Sequence, residues 1–314
     1  MFLSAGFMYA FAATACWAIA VFPFTTASRQ VPVNSMNHLR LLLSTIMVAI
    51  ASLLISPASF AHIFSAAYVS GWLWLGGSGI VALVAGDFFS FRSYAILSPK
   101  HGSVLTTLSP AAALLFGFIL VNEKINWIGI AGMLVTIIGV MSISLGRSQR
   151  NTIPDHGHGS VFKGILYGIF AALCHGGALA LSKKGFIEQA MDGHPVHWTG
   201  ASFMRIAAAM LTIYFISLVR GKTKEAWQQL AASKEGVKNT MVGSVFNPVL
   251  SVTLSMITIL YIDVAVAQTI FALVPLFALL IAFAVYKEKI TVRSMLGVAA
   301  ALAGVVLLIW RNKF

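Results

Sequence analysis

The chain has 314 residues, of which 59% are hydrophobic and 10% charged, with a mean hydropathy of +0.88 and a formal net charge of +12. Water-soluble domains carry about 25% charged residues, so this composition excludes an ordinary soluble domain and describes a polytopic membrane protein. Two cysteines, Cys16 and Cys174, are too few for a disulfide framework or a cysteine-based metal cluster; the basic balance suits anionic lipid headgroups, no soluble region is long enough to present a nucleic-acid groove, and no cofactor is implied.

Apolar runs of roughly 18–25 residues, enough to cross about 30 Å of hydrocarbon as helix, fall at 4–24, 34–56, 70–92, 101–121, 126–145, 162–182, 199–219, 240–262, 265–286 and 292–310. The first follows Met1 with no Lys or Arg before it and no small-residue cleavage site after it, so it reads as a span, not a signal peptide. Trp17 falls near the middle of this span. Arg40, early in span 2, is placed to snorkel to the interface or to bind a carboxylate or phosphate bidentately. Of nine acidic residues, only Asp87 in span 3 lies deep within a predicted span. An ionisable group at such depth is costly unless paired or solvated, which makes Asp87 the candidate coupling residue, with Arg92 or Arg40 as partner; a permanently closed pair would instead be structural.

Pro110, midway along span 4, lacks an N–H and frees the carbonyl of Thr106, which predicts a hinge. Glu123 sits at the turn into span 5, where a carboxylate meets the positive end of the next helix. Within span 5, Gly132 and Gly139 share one helix face and suit close packing. The linker 147–161 contains Asp155, His156 and His158, three ligand types without a fourth or a rigid frame, and no metal site is assigned. Span 6 carries Cys174 and His175, and span 7 carries Arg205, which has the same two readings as Arg40. Asn247-Pro248 forms a polar helix break in span 8, Gln268 places an amide early in span 9, and Pro275 repeats the hinge signal with Phe271 as the freed carbonyl. The loop 220–239 is short and polar.

These features repeat. At an offset of 165, Pro110 falls on Pro275, Glu123-Lys124-Ile125 on Glu288-Lys289-Ile290, Gly132 on Gly297, Gly139-Val140 on Gly304-Val305, and Arg40 on Arg205. An offset of 158 carries Gly6, Tyr9, Ala13 and Cys16 onto Gly164, Tyr167, Ala171 and Cys174 and pairs Trp17 with His175. The chain therefore divides into a five-span half at 1–146, a linker at 147–161 and a second five-span half at 162–314. Five is odd, so the halves enter the membrane in opposite orientations, the arrangement from which inverted-repeat transporters build two alternately opening sides around one site. The fold class is all-α, ten transmembrane helices as two inverted five-helix repeats.

The pattern of Pro, twelve residues, Glu, and a glycine-bearing final span in both halves, with Arg40 and Arg205 early in the second span of each, resembles the drug/metabolite transporter superfamily and specifically its EamA-type members. The resemblance implies a central cavity lined by spans 1–4 and 6–9, with spans 5 and 10 at the periphery, where a homodimer would form. It implies a secondary transporter of small metabolites, amino acids or related solutes, working in export and by alternating access in the cell inner membrane. Substrate-binding candidates are Trp17, His175, Arg40, Asn247 and Gln268, with Asp87 as coupling residue and Pro110 and Pro275 as hinges. Trp17 and His175, near mid-membrane, are expected to face each other with stacking and hydrogen bonding suited to a zwitterionic or aromatic metabolite. A flippase for lipids or polyprenyl-phosphate carriers is the alternative, since Arg40 suits a phosphate headgroup.

A remote alternative is an intramembrane serine protease, in which Ser78 of the GGSG stretch would have to meet His175 within hydrogen-bond reach; the inverted duplication has no purpose in such a fold, and the protein is read as not an enzyme. Orientation is read in two ways. Loops after odd-numbered spans hold thirteen Lys and Arg and the opposite side five, which places both termini outside the cytoplasm, whereas the family resemblance implies termini inside.

Overall fold

The computed structural model describes residues 2–146, 160–287 and 291–311, and among these the chain is helical with no strand. Among the described residues ten segments are long and apolar enough to cross a membrane: Ala5–Ser28, Val33–Ile55, Ala66–Leu97, Val104–Val121, Trp127–Ser144, Val161–Met191, Trp198–Val219, Lys234–Tyr261, Val264–Val285 and Val292–Trp310. They are numbered spans 1–10 below. Their outward faces carry bare apolar side chains, such as Leu53 and Leu54 on span 2 and Leu134 and Ile138 on span 5, which only lipid accommodates over so large an area. Five inward hydroxyls are satisfied by their own helix. Thr14, Ser52, Thr136, Thr240 and Thr269 each donate to the carbonyl four residues back at 2.7–2.8 Å, a solution that needs no water in the bilayer.

The chain forms two compact units, Met1–Val84 with Leu181–Tyr261, and Ala85–Ala180 with Ile262–Phe314. In the first unit, spans 1, 2, 7 and 8 pack with the early part of span 3 and the end of span 6 around Leu41, Leu75, Met204, Ile206, Met256 and Ile259, all fully buried. The connection after span 7, expected as a polar loop, contains the helix Thr223–Ala231. Its Ala226 and Leu230, four apart on one face, are buried, and Leu230 packs against Val31 and Leu39.

The second unit pairs spans 5 and 10 through their glycines. A Cβ on Gly139 would lie 2.4 Å from the Ala301 nitrogen, and one on Gly304 2.5 Å from the Gly132 carbonyl, so only glycine permits this backbone approach. Spans 4 and 9 are not bent helices but broken ones. One helix stops at Thr106 and the next begins at Ser109; in span 9 the stop is Phe271 and the restart Val274. Pro110 and Pro275 occupy the first turn of each second piece, where a missing N–H costs nothing. The Thr107 and Leu108 amides close the turn on Val104 and Leu105, and the Leu273 amide on Ile270.

The sequence repeat recurs as geometry. Asn122 and Lys287, 165 apart, both adopt the left-handed conformation, φ 55° and 53°, at the ends of spans 4 and 9. Asn126 and Thr291, at the same offset, cap spans 5 and 10 by accepting from Gly129 N at 2.9 Å and Ser294 N at 3.2 Å. Glu288, Lys289 and Ile290, together with Asp155, His156 and His158 of the linker, lie outside the described residues.

Candidate functional site

In the first unit, Trp17 and Asn247 meet. The indole Nε1 donates to Asn247 Oδ1 at 3.2 Å, and Ser251 Oγ donates to the same oxygen at 3.3 Å. Asn247 is available because Pro248 disfavours helical dihedrals in the residue before it: Asn247 stands at φ −144°, ψ 114° inside the π-type turns of Val245–Leu250, a local unwinding often found at functional sites. One helical heptad beyond Trp17 on span 1, Phe24 lies on the same face. The buried Arg40 guanidinium sits 5.8 Å from the Phe24 ring centroid. Gly243 makes room for that ring, since a Cβ there would come within 2.4 Å of it. Tyr9 and Tyr261 stack at 6.2 Å on the same pair of spans. Trp17, Asn247 and Arg40 thus belong to one aromatic-walled polar region.

A second polar assembly in this unit has no precedent in the sequence reading. Arg205 Nη1 donates to Ser182 Oγ, Ser182 Oγ donates to Ser78 Oγ at 2.9 Å, and Ser78 Oγ donates to the Leu75 carbonyl at 2.6 Å. Ser78 and Ser182 are fully buried. Gly79 lets span 3 lie against the Arg205 backbone, where a Cβ would meet the carbonyl oxygen at 1.9 Å. The repeat offsets could have found this assembly: Ser78, Ser182 and Arg205 are the counterparts of Gly243, Phe24 and Arg40, which also lie together. Likewise Gly71 abuts Gln189 as its counterpart Gly236 abuts Val31, the counterpart of Gln189. Equivalent positions meet in both halves, with hydroxyls and an amide in one and apolar groups in the other.

In the second unit, His175 on span 6 lies against Gly86, where a Cβ would be 3.0 Å from the ring, and its Nε2 is 3.4 Å from Ser90 Oγ. Asp87, Ser90 and Tyr94 recur at helical spacing on one face of span 3, so Asp87 shares the face that bears the His175 contact. Arg92 points elsewhere, exposed, with its guanidinium 5.5 Å from the Phe88 ring centroid. Gln268 Nε2 donates to Ser109 Oγ at 3.0 Å, tying span 9 just before its break to span 4 just after its own. Glu123 reaches span 9. Its Oε2 accepts from Val264 N at 2.8 Å, at the start of span 9, and next to it Asp263 pairs with Arg311. The Trp17–Asn247 hydrogen bond thus lies within the first unit, and the His175–Ser90 and Gln268–Ser109 contacts lie within the second. No group of three or more metal-ligating side chains occurs among the described residues.

The sequence model of the EamA-like transporter family matches residues 4–145 and again 162–310. The chain belongs to the EamA-like transporter family. It is a multi-pass membrane protein of the drug/metabolite transporter superfamily, built as two repeats. None of the curated proteins matches the chain. Among solved structures 28 chains match; one, whose title says only that it is the crystal structure of a protein, is 17% identical over 97% of this chain and 96% of its own, with a TM-score of 0.70. That likeness is one of fold. Members of the EamA-like family are transporters and not enzymes, and Ser78, the residue of the protease reading, donates its hydroxyl proton to a backbone carbonyl.

Proposed function

We propose that this EamA-like protein is a secondary transporter of small metabolites, amino acids or related solutes, exporting them by alternating access across the cell inner membrane. The observation that carries the reading is the Trp17–Asn247 hydrogen bond. It joins an indole to an amide at an unwound segment of span 8, beside Arg40 and Phe24, and supplies the mixture of aromatic wall and few polar groups by which pockets orient small zwitterions. A bundle needing only packing would fill these positions with aliphatics. In the second unit, Asp87 is the coupling residue and His175 a binding residue, with Gln268 positioned by Ser109. The breaks before Pro110 and Pro275 are the hinges, because a two-residue interruption absorbs dihedral change that an intact helix resists. The glycine faces of spans 5 and 10 are occupied by each other, so a homodimer through these spans would use outer-face residues such as Leu134 and Ile138.

The test is counterflow in proteoliposomes with a radiolabelled amino-acid panel. Substrate-dependent exchange, reduced in Trp17→Ala at unchanged reconstitution, is the expected result. Absence of exchange with every solute, combined with scrambling of a fluorescent short-chain lipid, would replace metabolite transport by lipid flipping.

A further inference from the structure

Arg205 is 6% exposed, and among the described residues its partners are a hydroxyl and a thioether: Ser182 Oγ, and Met256 Sδ at 4.0 Å. Both contacts leave from Nη1. Nε is enclosed and has no hydrogen-bond partner. A guanidinium offers a planar oxyanion its side-on edge, Nε with Nη2, and among the described residues neither atom of that edge has a hydrogen-bond partner. The serine relay fixes this presentation. Ser78 spends its proton on Leu75 O and Ser182 spends its own on Ser78, so Ser182 turns a lone pair to Nη1 and holds the plane of the guanidinium. Packing does not require such a relay, because the counterpart crossing is built from Gly243 and Phe24. A buried cation lacking a carboxylate partner is unfavourable unless an anion completes it.

We propose that Arg205 is a carboxylate-binding residue, taking a substrate carboxylate bidentately through Nε and Nη2. The proposal rests on the transporter reading and narrows its substrates to solutes with a carboxylate. One guanidinium with no second cation in contact matches a single negative charge better than a phosphate dianion.

The experiment is a thermal-shift titration of the purified full chain, at constant ionic strength, with benzoate, L-phenylalanine and L-glutamate, each beside its carboxamide, and with methyl phosphate. The expected result is that at least one carboxylate raises the Tm and its amide does not. Arg205→Lys, which keeps the charge but loses the side-on edge, weakens that carboxylate on the order of tenfold, and Ser182→Ala weakens it less. Should Arg205→Lys fail to fold, protection of Arg205 from phenylglyoxal in the wild-type protein, read by peptide mass mapping, decides: protection by the carboxylate supports the site, and full modification in its presence overturns it. Equal stabilisation by acid and amide, preference for methyl phosphate, no effect of any carboxylate, or wild-type binding in Arg205→Lys also overturns it. Counterflow confined to solutes that lack a carboxylate would end this proposal while leaving the transporter reading intact.

Discussion

Glu123 accepts a hydrogen bond from the backbone N–H of Val264 at 2.8 Å, 141 residues away, and so holds the first turn of span 9 from the end of span 4. The N-terminal amides of a helix have no partner within it, and Val264 is fully buried. Glu123→Ala is therefore expected to lower stability by about 1–3 kcal/mol, the cost of stranding a buried donor. Glu123→Gln, which keeps an acceptor, is expected to lose less. Thermal unfolding of both variants in the same detergent checks the order; equal losses would show that charge, not acceptance, is what matters.

The Trp17–Asn247 pair separates contact from shape. Trp17→Phe keeps an aromatic wall but loses the indole donor, whereas Trp17→Ala loses both. Loss of an aromatic partner weakens binding by about 0.5–1.5 kcal/mol beyond lost area, so affinity is expected to fall in the order wild type, Phe, Ala, with Tm little changed. Binding isotherms for whichever solute proves active in counterflow measure this.

Asp87 shares a face of span 3 with Ser90, whose hydroxyl lies 3.4 Å from His175 Nε2. As the coupling residue, Asp87→Asn is expected to leave a folded protein that binds solute but transports it independently of a pH gradient. His175→Gln keeps hydrogen bonding but cannot take a proton, so it is expected to change affinity more than pH response. Gradient-driven uptake at several external pH values distinguishes the two, and a wild-type pH response in Asp87→Asn would remove Asp87 from coupling.

His197, before span 7, accepts at Nδ1 from Thr199 N at 3.4 Å and lies 2.8 Å from Thr199 Oγ1. Burial holds its pKa below the ordinary value of 6.5, so the folded state favours the neutral ring, and the unfolded chain binds the proton first. Stability is accordingly present above pH 6.5 and lost as pH falls through the lower folded-state value. Protonation of Nδ1 also removes the cap, a loss of about 1 kcal/mol. Melting curves between pH 8 and pH 5 should show this fall, flattened in His197→Asn, which caps without titrating.

Orientation follows from charge if the positive-inside rule governs. Lys222 is exposed in the connection after span 7, on the side with thirteen Lys and Arg. A cysteine placed by Lys222→Cys should resist an impermeant maleimide in intact cells and react after permeabilisation. Labelling in intact cells would put this connection outside and both termini inside.

Composition and periodicity alone determined that the chain crosses the membrane ten times, because nothing but helix satisfies a backbone in hydrocarbon over such lengths. The offsets of 165 and 158 determined the two repeats, since Pro, Gly and Glu-Lys in register do not recur by hydropathy. Span ends were less legible: the amphipathic spacing of Ala226 and Leu230 is short, and its apolar face has meaning only once Val31 and Leu39 are present. Tertiary structure alone decided partners. Glu123, read from the sequence only against its neighbouring helix, reaches the Val264 amide at the start of span 9. Pro110 was expected to bend span 4 and stands instead in the first turn of a new helix, because a proline has the same letter in both places. The Ser78–Ser182–Arg205 relay was invisible for a related reason. Hydroxyls in apolar spans ordinarily bond to their own helix, as those of Thr14 and Ser52 do, and only tertiary packing, with span 3 held against span 7 at Gly79, lets Ser182 Oγ on span 6 donate to Ser78 Oγ.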